Sequence, residues 1–172
     1  MLLLRRVPGP ILAGAVMAII GALAWMAGMP WLFPSLGPTI AIQAHSPGAS
    51  VARPWNVVVG HAIGAIIGFA CIWATGVVHQ APVNVAHEIS APRLVAAALA
   101  VALSMALQHA ADAHHPPAQA TTLLIVVGAL DASYQGAIVI AVGIALVALL
   151  GEGVRRAKAQ DRQLDRPARG VE

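Results

Sequence analysis

The sequence predicts an all-α fold, a polytopic membrane bundle of four spanning helices with two Pro-broken segments between them. Composition is the first ground: of 172 residues, 59% are hydrophobic and only 10% charged, where a soluble domain carries about a quarter charged residues. Mean hydropathy, at +0.78, agrees. The third ground is that the apolar residues gather into runs long enough to cross the ~30 Å of a hydrocarbon core.

The first run, Ile11 to Met29, follows Arg5 and Arg6 and contains no charge. At about 1.5 Å per residue it matches one bilayer crossing. Its basic start, with Ala22-Leu23-Ala24 behind it, also fits a signal peptide. The run is longer than the usual apolar core of such a peptide and more runs follow, so it is read as a retained anchor. Trp55 to Val78 and Leu94 to Ala111 are the second and third spans, separated by the polar, Pro-punctuated loop His79 to Pro92. Gly136 to Leu150 is the fourth, short but flanked by Tyr134 and a basic tail.

Two further apolar segments are interrupted. Trp31 to His45 contains Pro34, Gly37 and Pro38, leaving Thr39 to Ala44 as clean helix, a reach of about 9 Å. Ala118 to Leu130 follows Pro116-Pro117 and reaches about 20 Å. Neither crosses as a helix, so each is expected to return to the side it came from as a re-entrant or half-helix segment. Each half then crosses twice and the halves are parallel. If the broken segments cross instead, each half has three spans and the halves are inverted, as in many transporters. An offset of 79 residues (117 less 38) places Pro38 on Pro117, Trp55 on Tyr134 and Gly64 on Gly143, a weak internal repeat.

The formal charge is +3, and six of the ten basic residues fall in one tail: Arg155, Arg156, Lys158, Arg162, Arg166 and Arg169. Mixed with Glu152, Asp161, Asp165 and Glu172 directly after an apolar run, they read as a cytoplasmic anchor under the positive-inside bias, not as a nucleic-acid arm. The chain divides into a transmembrane domain over 1–152 and a tail over 153–172. It is placed in the cell inner (plasma) membrane with both termini cytoplasmic. Cys71, the single cysteine, excludes an intrachain disulfide and a CxxC metal pair.

Helices in lipid associate through close backbone packing. Gly60, Gly64 and Gly68 form a double GxxxG, and Gly136, Gly143 and Gly151 give the last run small faces; a homo-oligomer is expected. The densest polar group runs from Gln108 and His109 through Asp112, His114, His115, Pro116 and Pro117 to Gln119, Thr121 and Thr122. A carboxylate at membrane depth marks function by default, so Asp112 with His109 or His115 is a candidate cation site or proton relay, against the plainer reading of an interfacial residue paired with His114. The prolines suit the first turn of a helix and leave the amides of Ala118, Gln119 and Ala120 free as an anion site. Gly37-Pro38-Thr39 repeats this arrangement, with Ser35 and Thr39 as hydroxyl donors. The structural alternative is that Pro and Gly only break helices at packed turns. His61 and Asn56 read as interhelical hydrogen bonds. HExxH, G-x-S-x-G and phosphate-loop patterns are absent, so no enzyme, cofactor or metal site is expected.

Phe33-Pro34-Ser35-Leu36-Gly37-Pro38-Thr39, then Arg53-Pro54-Trp55-Asn56 leading to Gly60-His61, and His114-His115-Pro116-Pro117-Ala118 together resemble the HPP family of small integral membrane proteins, named for its His-Pro-Pro motif. The resemblance implies four transmembrane helices and transport, since plant plastid and cyanobacterial members are linked to nitrite movement. On it, a pathway role passes to Ser35, Gly37, Pro38, Thr39, His115, Pro116 and Pro117, with Asp112 and Gln119 added from the residues themselves. The function expected is a small-anion, nitrite-like permease or channel in the lipid bilayer. The alternative is a non-transporting scaffold or sensor subunit that binds a partner through the GxxxG helix.

Overall fold

A computed structural model describes residues 7–164; Arg5, Arg6, Arg166 and Arg169 of the expected charge pattern lie outside them. Among the described residues seven α-helices follow one another: α1 (Gly9–Ala27), α2 (Leu36–His45), α3 (Pro54–Ala74), α4 (Val83–Ala86), α5 (Ala91–Ala110), α6 (Ala118–Val126) and α7 (Tyr134–Leu164). Four of them, α1, α3, α5 and α7, are long and apolar enough to cross a membrane. Local chemistry sets their ends. Proline occupies the first turn of α1, α3 and α5, where its missing N–H costs nothing. Gly28 ends α1 in the left-handed region at φ 62°, its N–H bonding back to the carbonyl of Trp25. Helix α7 runs well past Leu150, because Glu152 pairs with Arg155 and Arg156 at 2.5 and 2.6 Å, and Lys158 with Asp161 at 3.3 Å, along the helix. The start of the basic tail is thus a helical continuation of the last span.

Two ends of the bundle are defined by contacts. At the near end, a Cβ on Gly9 would lie 3.5 Å from the Ala44 carbonyl oxygen, Arg155 Nη1 donates to the Pro47 carbonyl at 3.1 Å, and Trp55 Nε1 donates to the Ala111 carbonyl at 3.4 Å. At the far end, the Val83 amide donates to the Val127 carbonyl at 2.9 Å, and Arg93 Nη1 to the Val126 carbonyl at 2.8 Å. Met29 and Pro30 share a far-end cleft with Asp131 and Gln135. So α1 and α3 run near to far, and α5 and α7 far to near.

The broken segments therefore traverse the bundle. The chain leaves α1 at the far end, descends through residues 28–35, and continues as α2 to the near end. Residues 111–117 enter from the near end, and α6 carries the chain to the far end. This corrects the expectation that both segments turn back. That expectation counted only the helical residues, whereas the non-helical residues 28–35 and 111–117 also carry the chain along the bundle. Non-helical backbone is tolerated at such depth when protein covers it, and Phe33, Ser35, Ala113 and His115 are all buried.

The two halves are inverted copies. Gly9 and Ala91 open α1 and α5, and Leu36 and Ala118 open α2 and α6, an offset of 82 residues in both cases (91 less 9, 118 less 36). Each half-helix packs on its own first helix and on the third helix of the other half: α2 on α1 and α7, α6 on α5 and α3, with α3 against α7 between them. Large apolar side chains such as Ile11, Trp25, Ile66, Leu94 and Leu149, all more than half exposed, form the outer surface, as lipid requires.

Candidate functional site

The first turns of α2 and α6 meet inside the bundle, and α3 presents glycine to α6 and to the turn before it. A Cβ on Gly60 would come within 2.8 Å of His115 Cβ and 3.0 Å of the Ala113 carbonyl oxygen; one on Gly64 would come within 2.7 Å of Thr122 Oγ1 and 2.8 Å of the Ala118 carbonyl oxygen. His61, between these glycines, lies in hydrogen-bond range of Thr39 on α2 and Thr121 on α6. The double GxxxG packs within the chain.

Ser35, Thr39 and Gln43 recur every four residues on α2 and are all fully buried, one polar stripe facing inward. Ser35 Oγ and Thr121 Oγ1 are 2.7 Å apart, joining the two half-helices directly. Thr121 Oγ1 is 2.8 Å from His61 Nδ1; Thr39 Oγ1 is 3.0 Å from His61 Nε2 and 3.1 Å from His115 Nε2; His115 Nδ1 donates to the Val51 carbonyl at 2.8 Å. The two imidazole rings stand edge to face, centroids 5.0 Å apart. Three hydroxyls and two imidazoles thus form one continuous chain, contributed by α2, α3, α6 and the His-Pro-Pro turn.

A second layer fixes this chain. Gln108 Oε1 accepts from the His115 amide at 3.1 Å while its Nε2 donates to Ser104 Oγ at 3.1 Å and to the Gly60 carbonyl at 3.3 Å. Gln119 Nε2 donates to Ser104 Oγ at 3.3 Å, and Thr122 Oγ1 donates to the Gly64 carbonyl at 3.1 Å. Asn56 Nδ2 donates to the His114 carbonyl at 3.0 Å, so Asn56 ties α3 to the turn between α5 and α6, not to another helix. The side-chain amide of Gln43, at both its nitrogen and its oxygen, and Gln119 Oε1 are buried without a hydrogen-bond partner in the protein.

Of the residues expected in the pathway, Ser35, Thr39 and His115 come together, and Gln119 stands one layer out. Pro117 is buried at the start of α6, whereas Pro38 and Pro116 are exposed. Gly37 lies across α2 from the polar stripe, with nothing within 4 Å of a Cβ there. Asp112 is exposed in the near-end turn at φ 46°, and His109 and His114 are exposed too, so the Asp112–His relay is not assembled. The expected free amides are also absent: Ala118, Gln119 and Ala120 donate to the carbonyls of His115, Pro116 and Pro117 at 3.0–3.1 Å. The two prolines wind a tight i to i+3 turn that satisfies amides an α-helix leaves open. The donors at the centre are hydroxyls and imidazoles. Among the described residues, no three His, Cys, Asp or Glu side chains cluster as a metal site.

Two residues carry more than the sequence suggested. His61 is the hub of the chain. Arg93, buried at the start of α5, donates to the carbonyls of Val126 and Ala81 at 2.8 and 2.9 Å and so closes the end of α6. An arginine in the first turn of an apolar helix, where the dipole disfavours a cation, was the signal for it.

The transmembrane-region family of HPP proteins matches residues 3–163, nearly the whole chain. The chain belongs to the HPP family. With its four apolar helices, this HPP protein is an integral membrane protein. No curated protein and no solved structure matches it. The His-Pro-Pro motif of this HPP protein is His115-Pro116-Pro117, and it is the turn that delivers His115 to the centre of the bundle.

Proposed function

We propose that this HPP protein is a small-anion permease for nitrite-like anions, with its binding centre at Ser35, Thr39, His61, His115 and Thr121. The observation that carries this reading is the meeting of two crossing half-helices at a buried chain of hydroxyls and imidazoles. Discontinuous helices that meet between inverted halves are how many secondary transporters build a site. Gln43, one turn beyond Thr39 toward the near end, offers a buried amide with no protein partner. Toward the far end, a cleft of about 480 Å³ lined by Met29, Phe33, Pro34 and Gln135 reaches the residue next to Ser35. These are the two halves of the route.

The near end carries Arg53, Arg155, Arg156 and Lys158 and the far end the buried Arg93, which supports a cytoplasmic near end in the inner membrane. The scaffold alternative loses its main support, because Gly60, Gly64 and Gly68 are covered by the chain's own 113–125 segment. Purified protein in liposomes is expected to take up nitrite in preference to chloride, and Thr39→Val to cut that flux at least roughly tenfold, the loss of about 1.4 kcal/mol or more of transition-state stabilisation. Folded, inserted protein that moves neither nitrite, nitrate nor formate faster than empty liposomes overturns the proposal.

A further inference from the structure

Hydrogen-bond accounting around Thr39 gives the proposed permease a proton. The Val51 carbonyl only accepts, so His115 Nδ1 carries a hydrogen. Thr39 has one proton and three partners: the Ser35 carbonyl at 3.0 Å, His61 Nε2 at 3.0 Å and His115 Nε2 at 3.1 Å. When His115 is neutral, its Nε2 is an acceptor and takes the Thr39 proton. His61 Nε2–H then donates to Thr39, Thr121 donates to His61 Nδ1, Ser35 donates to Thr121, and the Ser35 carbonyl receives nothing from Thr39. When His115 carries both protons, Thr39 accepts from the two imidazoles with its two lone pairs and turns its own proton to the Ser35 carbonyl. All four bonds, three at Thr39 and one from His115 to Val51, close together only in this second state.

We infer that Thr39 is a two-position hydroxyl switch through which His115 takes up a proton together with the anion, making the transport proton-coupled. The inference rests on the anion-permease reading. Its step moves one proton from water to His115 Nε2 and no electrons; no covalent bond to the anion forms. What makes the uptake depend on the anion is the surrounding charge. Neither imidazole bonds a carboxylate. On α3 the titratable neighbour is His61; α2 presents Thr39 and Ser35; α5 presents Ser104 and Gln108, its His109 being exposed and its Arg93 bonded at the far end; α6 presents Thr121 and Thr122. On α7, Glu152 is paired with Arg155 and Arg156 at the near end, while Arg53, His114 and Asp112 are exposed. A buried imidazolium without a counter-charge is strongly disfavoured. An anion bound at the centre supplies that charge, and by linkage the proton strengthens anion binding to the same degree.

The test is 15N NMR of the full chain, labelled at histidine, in lipid nanodiscs at neutral pH, with nitrite and chloride added separately and His115 assigned by H115Q. The expected result is conversion of His115 from its Nδ1–H form to the doubly protonated ring on saturation with nitrite. In liposomes holding a pH dye, one proton should then enter per nitrite; Thr39→Ser should keep that ratio, and in the residual flux of Thr39→Val the ratio should fall roughly tenfold or more. If nitrite shifts the His61 resonances while His115 stays neutral, the switch is wrong and the anion site stands. If no anion shifts either histidine and none is transported, the permease reading falls and the coupling falls with it.

Discussion

Gly64 faces Thr122 and Ala118 so closely that a single added carbon would lie 2.7 Å from one side chain and 2.8 Å from the backbone of the other. Overpacking of this kind costs about 1–3 kcal/mol, and Gly64→Ala is expected to lower the denaturation midpoint in detergent accordingly. Gly37→Ala is expected to cost less than Gly64→Ala, since nothing lies within 4 Å of a Cβ there. A reversed order of the two variants would mean that α6 does not dock on α3. Asp112→Asn is expected to leave nitrite flux unchanged, because the side chain is exposed at the bundle end; a loss beyond roughly tenfold would restore it to the route. At this scale the sequence exposed the polar residues but not their grouping. Ser35, Thr39 and His115 were visible from motif and polarity, whereas Asp112, chemically the most conspicuous, faces away because the helix ends at Ala110 and the turn after it rotates the chain.

Between residues and the whole fold, the half-helices depend on what holds their ends. Arg93 donates to the last turn of α6 and to the carbonyls of Gln80 and Ala81 in the loop that precedes α4. Arg93→Ala leaves those buried carbonyls without their donor, and hydrogen bonds from a charged group contribute about 1.5–3 kcal/mol each. The variant is expected to lose about 2–4 kcal/mol of stability, measured by denaturant titration in micelles; a change below about 0.5 kcal/mol would show that α6 needs no such closure. The long helices were legible from hydropathy to within a few residues, except the end of α7, where charged pairing extends the helix through a stretch that composition alone assigns to a tail. The half-helices were legible as broken segments, but their crossing was not. Apolar runs report helix, and non-helical backbone sheltered by neighbours leaves no such run.

Across the whole molecule, the inverted halves are the claim on which site and transport both depend. The repeat was visible in the sequence at the wrong register. An offset of 79 residues matched Gly64 to Gly143, whereas in the fold Gly60 corresponds to Gly143: the first receives Ala113 and His115, the second Trp31 and Phe33. That is an error of about one helical turn, the slip expected when small residues recur every four positions on one face. The most direct test is sided labelling of single cysteines in membranes, on a Cys71→Ala background, with a maleimide that does not cross lipid. Met29→Cys and Asn84→Cys should react from one side and Gly48→Cys and His114→Cys from the other. Reaction of Met29→Cys and Gly48→Cys from the same side would mean that the segment between them turns back, and would contradict the inverted fold and the central site built on it.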